Sequence, residues 1–336
     1  MKRYTLKDIA ILTGVTPKTV SRVVNNEKYV KKETREKILK ILKEYDYQPN
    51  IPARSLVVYR TKTIGLIVPN LENPFYSRLS RGVIQTAEKN DYSIILCESR
   101  FDIEIGEKYL GMLTARGVDG LLIATLDLND VLVNRLNKMK ITFVIMTCRL
   151  DRPGINYVIA DDYKAGRVVV EYIINLGHRN IAFLKGPDVY SSNERFVAYK
   201  DVMREKKIPI ENFFITENVL DKKSAYEVTL NLLKKHNDIT AIIGNNDYTT
   251  LGAIKAIHEL GLSIPDGISV IGYDDIEIAE LLDVPLTTMH YPKYRCGVIA
   301  TERLIEILDG KSPNRGKKVI LETKFIERKS CGPVKK

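Results

Sequence analysis

The chain has 336 residues, of which 44% are hydrophobic and 28% charged, a composition typical of a folded globular protein with more than one domain. No long apolar run follows its first basic residues, and no apolar stretch approaches the ~18 residues of a membrane span, so we expect a cytoplasmic protein without a signal peptide. The net charge of +10 is uneven: residues 1–60 hold 14 basic and 6 acidic side chains, and the remainder 38 and 36. A basic excess at one end predicts a segment that meets DNA phosphates, although an ordinary solvated basic face has the same composition.

Residues 5–25, TLKDIAILTGVTPKTVSRVVN, predict two short helices joined by a tight turn. Ala10 is small enough for the helices to cross closely, Gly14 accepts a left-handed turn, and Val20 packs the second helix on the first. Thr16 suits the N-cap and Pro17 the first helical position. The pattern indicates a helix-turn-helix, and a generic amphipathic helix pair is the alternative.

The second of these helices has a polar face built to lie in a major groove, with Lys18, Thr19, Ser21, Arg22 and Asn25. Apolar residues at helical spacing predict a third helix over 33–45. The connector that follows, 47–58, has prolines that stop this helix and an Asn50 that can cap one or two further turns. So short a helix would form only against a partner such as a minor groove, with Leu56 as an apolar wedge and Arg54 on the backbone. An ordinary interdomain linker is the alternative.

From residue 63 the chain alternates short apolar runs with amphipathic helices, which predicts doubly wound α/β architecture with two parallel sheets. Strands are predicted at 64–68, 93–97, 120–124, 143–146, 158–160, 181–184, 213–216, 241–244, 269–272 and 319–325. Helices are predicted at 76–89, 165–175, 192–205, 224–234, 251–259 and 295–308. The predicted domains are a headpiece at 1–48, a hinge at 49–61, a first lobe at 62–160 with 292–319, and a second lobe at 161–291 with 320–332.

Enzymatic chemistry finds little support in the sequence. No G-x-G-x-x-G opens a βα unit, so a dinucleotide site is unsupported. The four cysteines form no C-x-x-C pair, and no histidine has metal-site spacing, so we expect neither a metal nor a catalytic centre. His178 reads as a structural turn or cap residue.

Polar and aromatic residues follow several predicted strands, at the edge where doubly wound folds bind ligands. Sugars need carboxylate, guanidinium and amide partners for their hydroxyls and an aromatic face for their C–H side. Arg195 in a loop and Asp274 at a strand end are the sharpest candidates for facing one cleft across the lobes. Asn73, Asp188 and Asp247 have cap or turn roles as the alternative.

Several segments, in order and at matching spacing, resemble signatures of the lactose-repressor and galactose-repressor (LacI/GalR) family of bacterial transcription regulators. These are the opening helix-turn-helix, TREKIL, YQPN with IPARSL, GLIVPNLENPFY, LGHRNIAFL, VIGYDDIEIAELLDVPLTTM and the late ERKS. The resemblance implies an all-α helix-turn-helix headpiece, a hinge helix that forms on the operator, and a core of two lobes like periplasmic binding proteins of type I. It also implies a homodimer on near-palindromic double-stranded DNA.

The resemblance further implies two sets of site residues. The DNA-binding positions are Thr5, Leu6, Thr16, Pro17, Lys18, Thr19, Ser21, Arg22, Asn25, Tyr29, Tyr47, Asn50, Ala53, Arg54 and Leu56. Of these, Pro17, Lys18 and Arg22 resemble base-reading positions, and Tyr29 resembles a further position within reach of a base. The effector-binding positions are Phe75, Tyr76, Ser191, Arg195, Asn246 and Asp274.

Three residues depart from common family patterns. Pro17 has no hydrogen-bonding side chain, so base reading rests on Lys18 and Arg22. Cys148 stands where aspartate is frequent, and Val189 where purine-responsive members have an arginine.

The sequence predicts a repressor of carbohydrate uptake or catabolism genes that a small sugar between the lobes releases from DNA, with no other cofactor and no enzymatic activity. One alternative is a regulator whose small molecule or partner protein tightens DNA binding. Another is a sugar-binding protein that does not bind DNA.

Overall fold

The computed structural model describes residues 4–24, 27–47, 60–124, 130–150, 152–211, 214–217 and 219–335, with the backbone alone at 130–133. These residues form two compact units, one within Met1–Thr61 and one within Lys62–Lys336.

The first unit contains three helices: α1 (Leu6–Thr13), α2 (Pro17–Val24) and α3 (Lys32–Glu44). Gly14 has φ of +68°, and its N–H closes onto carbonyl groups of the last turn of α1. Thr16 Oγ1 accepts the N–H of Thr19 at 3.3 Å, which caps α2. Ala10 and Val20 are buried where the helices meet. The predicted helix-turn-helix and its third helix are confirmed.

The second unit has a first, six-stranded parallel sheet in the order β11-β5-β4-β3-β1-β2. Its strands are β1 (Thr63–Val68), β2 (Ser93–Glu98), β3 (Gly120–Ala124), β4 (Thr142–Met146), β5 (Tyr157–Ala160) and β11 (Lys318–Leu321). Its helices are α4 (Pro74–Glu88), α5 (Ile103–Ala115), α6 (Asp130–Lys138) and α12 (Lys293–Leu308). Alternate residues of β1 enter two separate apolar clusters, so both faces of the sheet are covered.

A second parallel sheet has the order β7-β6-β8-β9. It contains β6 (Ile181–Leu184), β7 (Ile215–Thr216), β8 (Ala241–Ile243) and β9 (Ser269–Ile271). Its helices are α7 (Asp162–Asn175), α8 (Tyr190–Glu205), α9 (Lys222–Lys235), α10 (Asp247–Glu259) and the short α11 (Glu277–Leu281). Together, the two sheets and their helices are the two predicted α/β lobes, and the fold class is confirmed.

The end of the chain corrects one predicted strand. The run at 319–325 is two strands, since β11 pairs with β5 in the first sheet, whereas β12 (Lys324–Ile326) pairs antiparallel with β10 (Thr288–His290). Glu322 and Thr323 separate them, and the chain passes from one lobe to the other there. The predicted lobe boundaries remain a proposal.

Several helices begin two to four residues earlier than predicted. The side chains of Asn73, Asp161 and Asn246 accept backbone N–H groups at the starts of α4, α7 and α10. The first turns of α7 and α10 are mostly polar, so they fall outside the apolar periodicity from which the helices were predicted.

Glycine permits very close packing of α4 on α12. A Cβ at Gly82 would overlap the carbonyl oxygen of Tyr294, and one at Gly297 would overlap that of Leu79. Gly111, in α5, has open space where its Cβ would lie.

We expect Gly82→Ala to lower the free energy of unfolding by about 1–3 kcal/mol, because the methyl group forces the two helices apart. The matched change Gly111→Ala should raise it by about 0.5–1 kcal/mol, since alanine restricts the unfolded chain without a clash. Denaturant unfolding of the full chain measures both. A Gly82→Ala variant as stable as the parent would contradict the close contact.

Candidate functional site

The first unit presents a polar surface on α2. Val20 and Val23 are buried, while Lys18 and Arg22 lie on the opposite side of the helix. The guanidinium Nε of Arg22 lies 3.7 Å from Glu27 Oε2, and both side chains are more than 40% exposed. An exposed ion pair at this distance contributes little free energy, so Arg22 can exchange Glu27 for another acceptor.

The other predicted DNA-binding residues divide by exposure. Leu6 and Tyr47 pack against the apolar core of the unit, so both support the fold as well. Thr5 forms a capping box with Asp8 at the start of α1. Exposed positions are Thr5, Thr16, Pro17, Lys18 and Tyr29, and partly buried ones are Leu6, Thr19, Ser21, Arg22 and Tyr47. Five further predicted positions, and with them the predicted hinge helix, lie outside the described residues: Asn25, Asn50, Ala53, Arg54 and Leu56.

In the second unit, one cleft collects all six predicted effector-binding residues. It encloses about 550 Å³, including the open space at its mouth. Phe75 and Tyr76 come from the first lobe. Ser191, Arg195, Asn246 and Asp274 come from the second. The rest of the lining is Asn70, Asn73, Phe101, Thr147, Pro187, Val189, Leu220, Asn245 and Tyr291.

Arg195 is buried and held from several directions. Its Nε donates to Asp162 Oδ1 at 2.9 Å and its Nη1 to the carbonyl of Asn245 at 2.7 Å. Its Nη2 lies 3.6 Å from Asp274 Oδ1, and its guanidinium carbon is 4.5 Å from the centre of the Tyr273 ring. The predictions of a loop position and of a pair facing across the lobes are corrected: Arg195 lies in the second turn of α8, and Asp274 belongs to the same lobe.

Asp274 follows the carboxyl end of β9 in a strained backbone. The backbone φ angle is +107° at Asp274 and +54° at Asp275, values that residues other than glycine rarely adopt. Lys293 Nζ donates to the carbonyl oxygens of both at 2.7 Å and so holds the turn. Burial raises the pKa of Asp274 to about 6, although Arg195 and Lys293 oppose the shift.

The raised pKa of Asp274 makes the stability of the fold depend on pH. A carboxyl group whose pKa is higher in the folded state stabilises the fold only while protonated, so stability falls as pH rises from its ordinary pKa towards 6. At neutral pH the ionised carboxylate therefore destabilises the fold, and a bound hydroxyl that donates to it would offset this effect.

Aromatic rings and amides complete the cleft. The rings of Phe75 and Tyr291 meet edge to face, 5.0 Å between centres. Asn73 Oδ1 caps α4 and Asn246 Oδ1 caps α10, which confirms the cap role of Asn73 and shows one for Asn246. Asp247 is a structural residue, since its carboxylate accepts from Ile276 N and Thr288 Oγ1.

Side-chain contacts bridge the lobes beside the cleft. Tyr248, in α10, donates to Glu72 Oε2 of the first lobe at 3.0 Å. Tyr190, at the start of α8, packs against the apolar cluster of the first lobe and hydrogen-bonds with Arg149. These contacts join groups on opposite sides of the cleft, so opening of the lobes would have to break them.

Other groups have structural roles. His178 is buried between Thr240 Oγ1 and the carbonyl of Gly332, as predicted. Cys97, Cys296 and Cys331 are free thiols. Within the described ranges, no group of acidic, cysteine and histidine side chains could hold a metal ion, and no helix is long and apolar enough to cross a membrane.

Both units match known families. Residues 5–50 match the model of bacterial regulatory proteins of the lacI family, and residues 61–329 match that of periplasmic binding proteins and the sugar binding domain of the LacI family. The chain belongs to the LacI family. It is therefore a DNA-binding transcriptional regulator rather than an enzyme.

Individual relatives support this membership along nearly the whole chain. The transcriptional repressor PurR of Vibrio vulnificus is 36% identical over 93% of this chain and 94% of its own. The lac repressor dimer bound to operator and the anti-inducer ONPF has a TM-score of 0.85 at 28% identity, covering 98% of this chain and 99% of that one. The complex of the regulator CelR with cellobiose has a TM-score of 0.74 at 28% identity, covering 98% and 100%.

The effector residues predicted for this LacI-family member omit several residues that line the cleft or hold its lining in place. Asp162 follows the carboxyl end of β5, so the same strand-end rule that selected Asp274 could have found it. Asn245 lies two residues after β8 and next to the predicted effector residue Asn246. Phe101, three residues after β2, satisfies the same rule. Tyr291 in the lining and Lys293 behind Asp274 gave no comparable signal, because only tertiary packing brings them there.

We expect Arg195→Ala to lower the free energy of unfolding by about 3–5 kcal/mol, because it leaves the buried carboxyl groups of Asp162 and Asp274 without their cation. The control Arg167→Ala removes partly exposed pairs with Glu171 and Glu205 and should cost about 1 kcal/mol or less. Denaturant unfolding of both variants makes the comparison. Equal, small losses would show that Arg195 does not hold the cleft together.

Proposed function

We propose that this LacI-family regulator is a cytoplasmic repressor of carbohydrate uptake or catabolism genes, and that a small sugar in the cleft releases it from its operator. The convergence of all six predicted effector residues on one cleft between two lobes carries the proposal. The cleft offers a carboxylate, a guanidinium and amides beside aromatic rings, which are the groups that recognise sugar hydroxyls and C–H faces. The relatives solved with cellobiose and with ONPF have the same fold.

We propose that DNA is read by α2, with Lys18 and Arg22 on base edges. The basic excess of residues 1–60 supports phosphate contacts around them. A homodimer on a near-palindromic site is the natural arrangement for such a reader, and the lac repressor is a dimer on its operator.

Release follows if sugar binds one arrangement of the lobes more tightly than another, because a ligand shifts an equilibrium only through its differential affinity. The bridges Tyr248 to Glu72 and Tyr190 to Arg149 are contacts on which such a difference can act.

The proposal is tested by selecting an operator from random-sequence DNA with the full-length protein, then measuring operator affinity at fixed salt with and without a panel of mono- and disaccharides. We expect one sugar to lower the affinity at least tenfold. Asp274→Asn should keep operator binding and lose this response, since the change removes a carboxylate with little change in shape. A sugar that tightens binding would instead establish co-repression, and failure to select any operator would contradict DNA binding.

We expect Arg22→Ala to cost about 1–3 kcal/mol at one base pair of each half-site, as a bidentate guanine contact does. Competition among operators with single base changes measures the loss position by position. Glu27→Ala is the matched control: it frees Arg22 from its weak pair and should leave the base preference unchanged. A loss spread evenly over all sequences would place Arg22 on phosphates.

A further inference from the structure

The only basic side chain lining the cleft, among the described residues, is Arg195. Its charge is already matched, because Asp162 Oδ1 lies 2.7 Å from its Nη2 and Asp274 Oδ1 lies 3.6 Å from the same nitrogen. All three side chains are less than 8% exposed. Two carboxyl groups thus share one cation at the base of the cleft, which leaves no positive charge for a bound anion.

The groups packed behind Asp274 do not change this balance. Lys293 donates to the carbonyl oxygens of Asp274 and Asp275 and faces the carboxyl groups of both and of Asp247. Arg328 lies 2.7 Å from Asp275 Oδ1, and His290 Nδ1 lies 2.8 Å from Asp275 Oδ2. Arg328 and His290 are thus paired with the Asp275 carboxyl group, and the Lys293 ammonium group is held by backbone carbonyl oxygens among three carboxyl groups.

The cleft instead contains hydrogen-bond acceptors that a ligand can satisfy. Asn245 is 5% exposed and lines the cleft, and its Oδ1 has no hydrogen-bond partner among the described residues. Its side chain packs directly against Gly186, where a Cβ would overlap its amide group. A buried acceptor without a partner costs free energy that a ligand hydroxyl or amine can recover. Asp274 offers further acceptor oxygens at the same wall.

We propose that the effector is an uncharged, hydroxyl-rich molecule, and that Asp162 excludes its anionic relatives, such as sugar phosphates and sugar acids, by neutralising Arg195 from behind. This inference rests on the proposed function of the cleft as the effector site. Asp162 is a specificity-determining residue that acts through Arg195 and lies outside the cleft lining itself.

The physical reason is desolvation. A phosphate or carboxylate that enters the cleft loses its hydration and meets a guanidinium whose field two carboxyl groups already cancel. A neutral sugar pays no such charge penalty, and its hydroxyl groups can donate to Asp274 and Asn245 while one C–H face lies on the aromatic rings.

The test measures binding to the full-length protein by calorimetry and by thermal shift, at pH 7.5, with matched pairs of probes. These are glucose and glucose 6-phosphate, galactose and galactose 6-phosphate, ribose and ribose 5-phosphate, fructose and fructose 6-phosphate, with cellobiose and gluconate added. We expect at least one neutral sugar to bind and its phosphate to bind at least 100-fold more weakly. A phosphate or gluconate that binds as tightly as, or more tightly than, every neutral sugar would overturn the inference and leave a ligand-responsive regulator in place. If no probe binds, the sugar assignment of the proposed function fails, and the inference fails with it.

Asp162→Asn removes one charge with little change in shape and still offers an acceptor to Arg195. We expect the variant to bind the neutral sugar within a few-fold of the parent and its phosphate at least tenfold more tightly than the parent does. If the variant and the parent have the same ratio of sugar affinity to phosphate affinity, the role of Asp162 is overturned. Cooperative denaturant unfolding of the variant reports whether its core folds, and if it does not fold, the paired probes on the parent protein decide the inference alone.

Discussion

The cleft depends on one buried guanidinium. Arg195 joins the start of α7 through Asp162, the end of β8 through the Asn245 carbonyl, and the end of β9 through Asp274 and the ring of Tyr273. Buried charges are costly unless they are paired and hydrogen-bonded, so these contacts must be satisfied together. The same network sets the charge that a ligand meets.

The two lobes pack on one another as well as internally, since one apolar cluster contains residues of both sheets, such as Leu66 of β1 and Ile242 of β8. Within a lobe, both faces of a parallel sheet are covered by helices, and glycines let α4 and α12 pack backbone to backbone. Beside the cleft, the lobes meet through single side-chain contacts, such as Tyr248 with Glu72 and the edge-to-face rings of Phe75 and Tyr291. A ligand in the cleft lies beside these contacts, so it can act on them and thereby favour one arrangement of the lobes.

Local patterns were sufficient wherever structure depends on near neighbours in the chain. The turn at Gly14, the cap at Thr16 and the apolar runs of the parallel strands are where they were predicted, because backbone sterics and alternating burial act over a few residues. The starts of α7 and α10 were placed too late, because their first turns are mostly polar. The single strand predicted at 319–325 divides into β11 and β12, because its two halves find partners in different sheets.

The sequence by itself determined the helix-turn-helix, the two-lobed α/β core, the family and the six residues that meet in one cleft. The tertiary structure alone decided how these residues are used. It placed Arg195 on a helix against Asp162 and brought Tyr291 and Phe101 to the lining. The reason is that the hydrogen-bond partners and charge balance of a buried group depend on side chains distant in sequence. Asp162 and Arg195 are 33 residues apart and Arg195 and Asn245 are 50, separations over which no local pattern carries information.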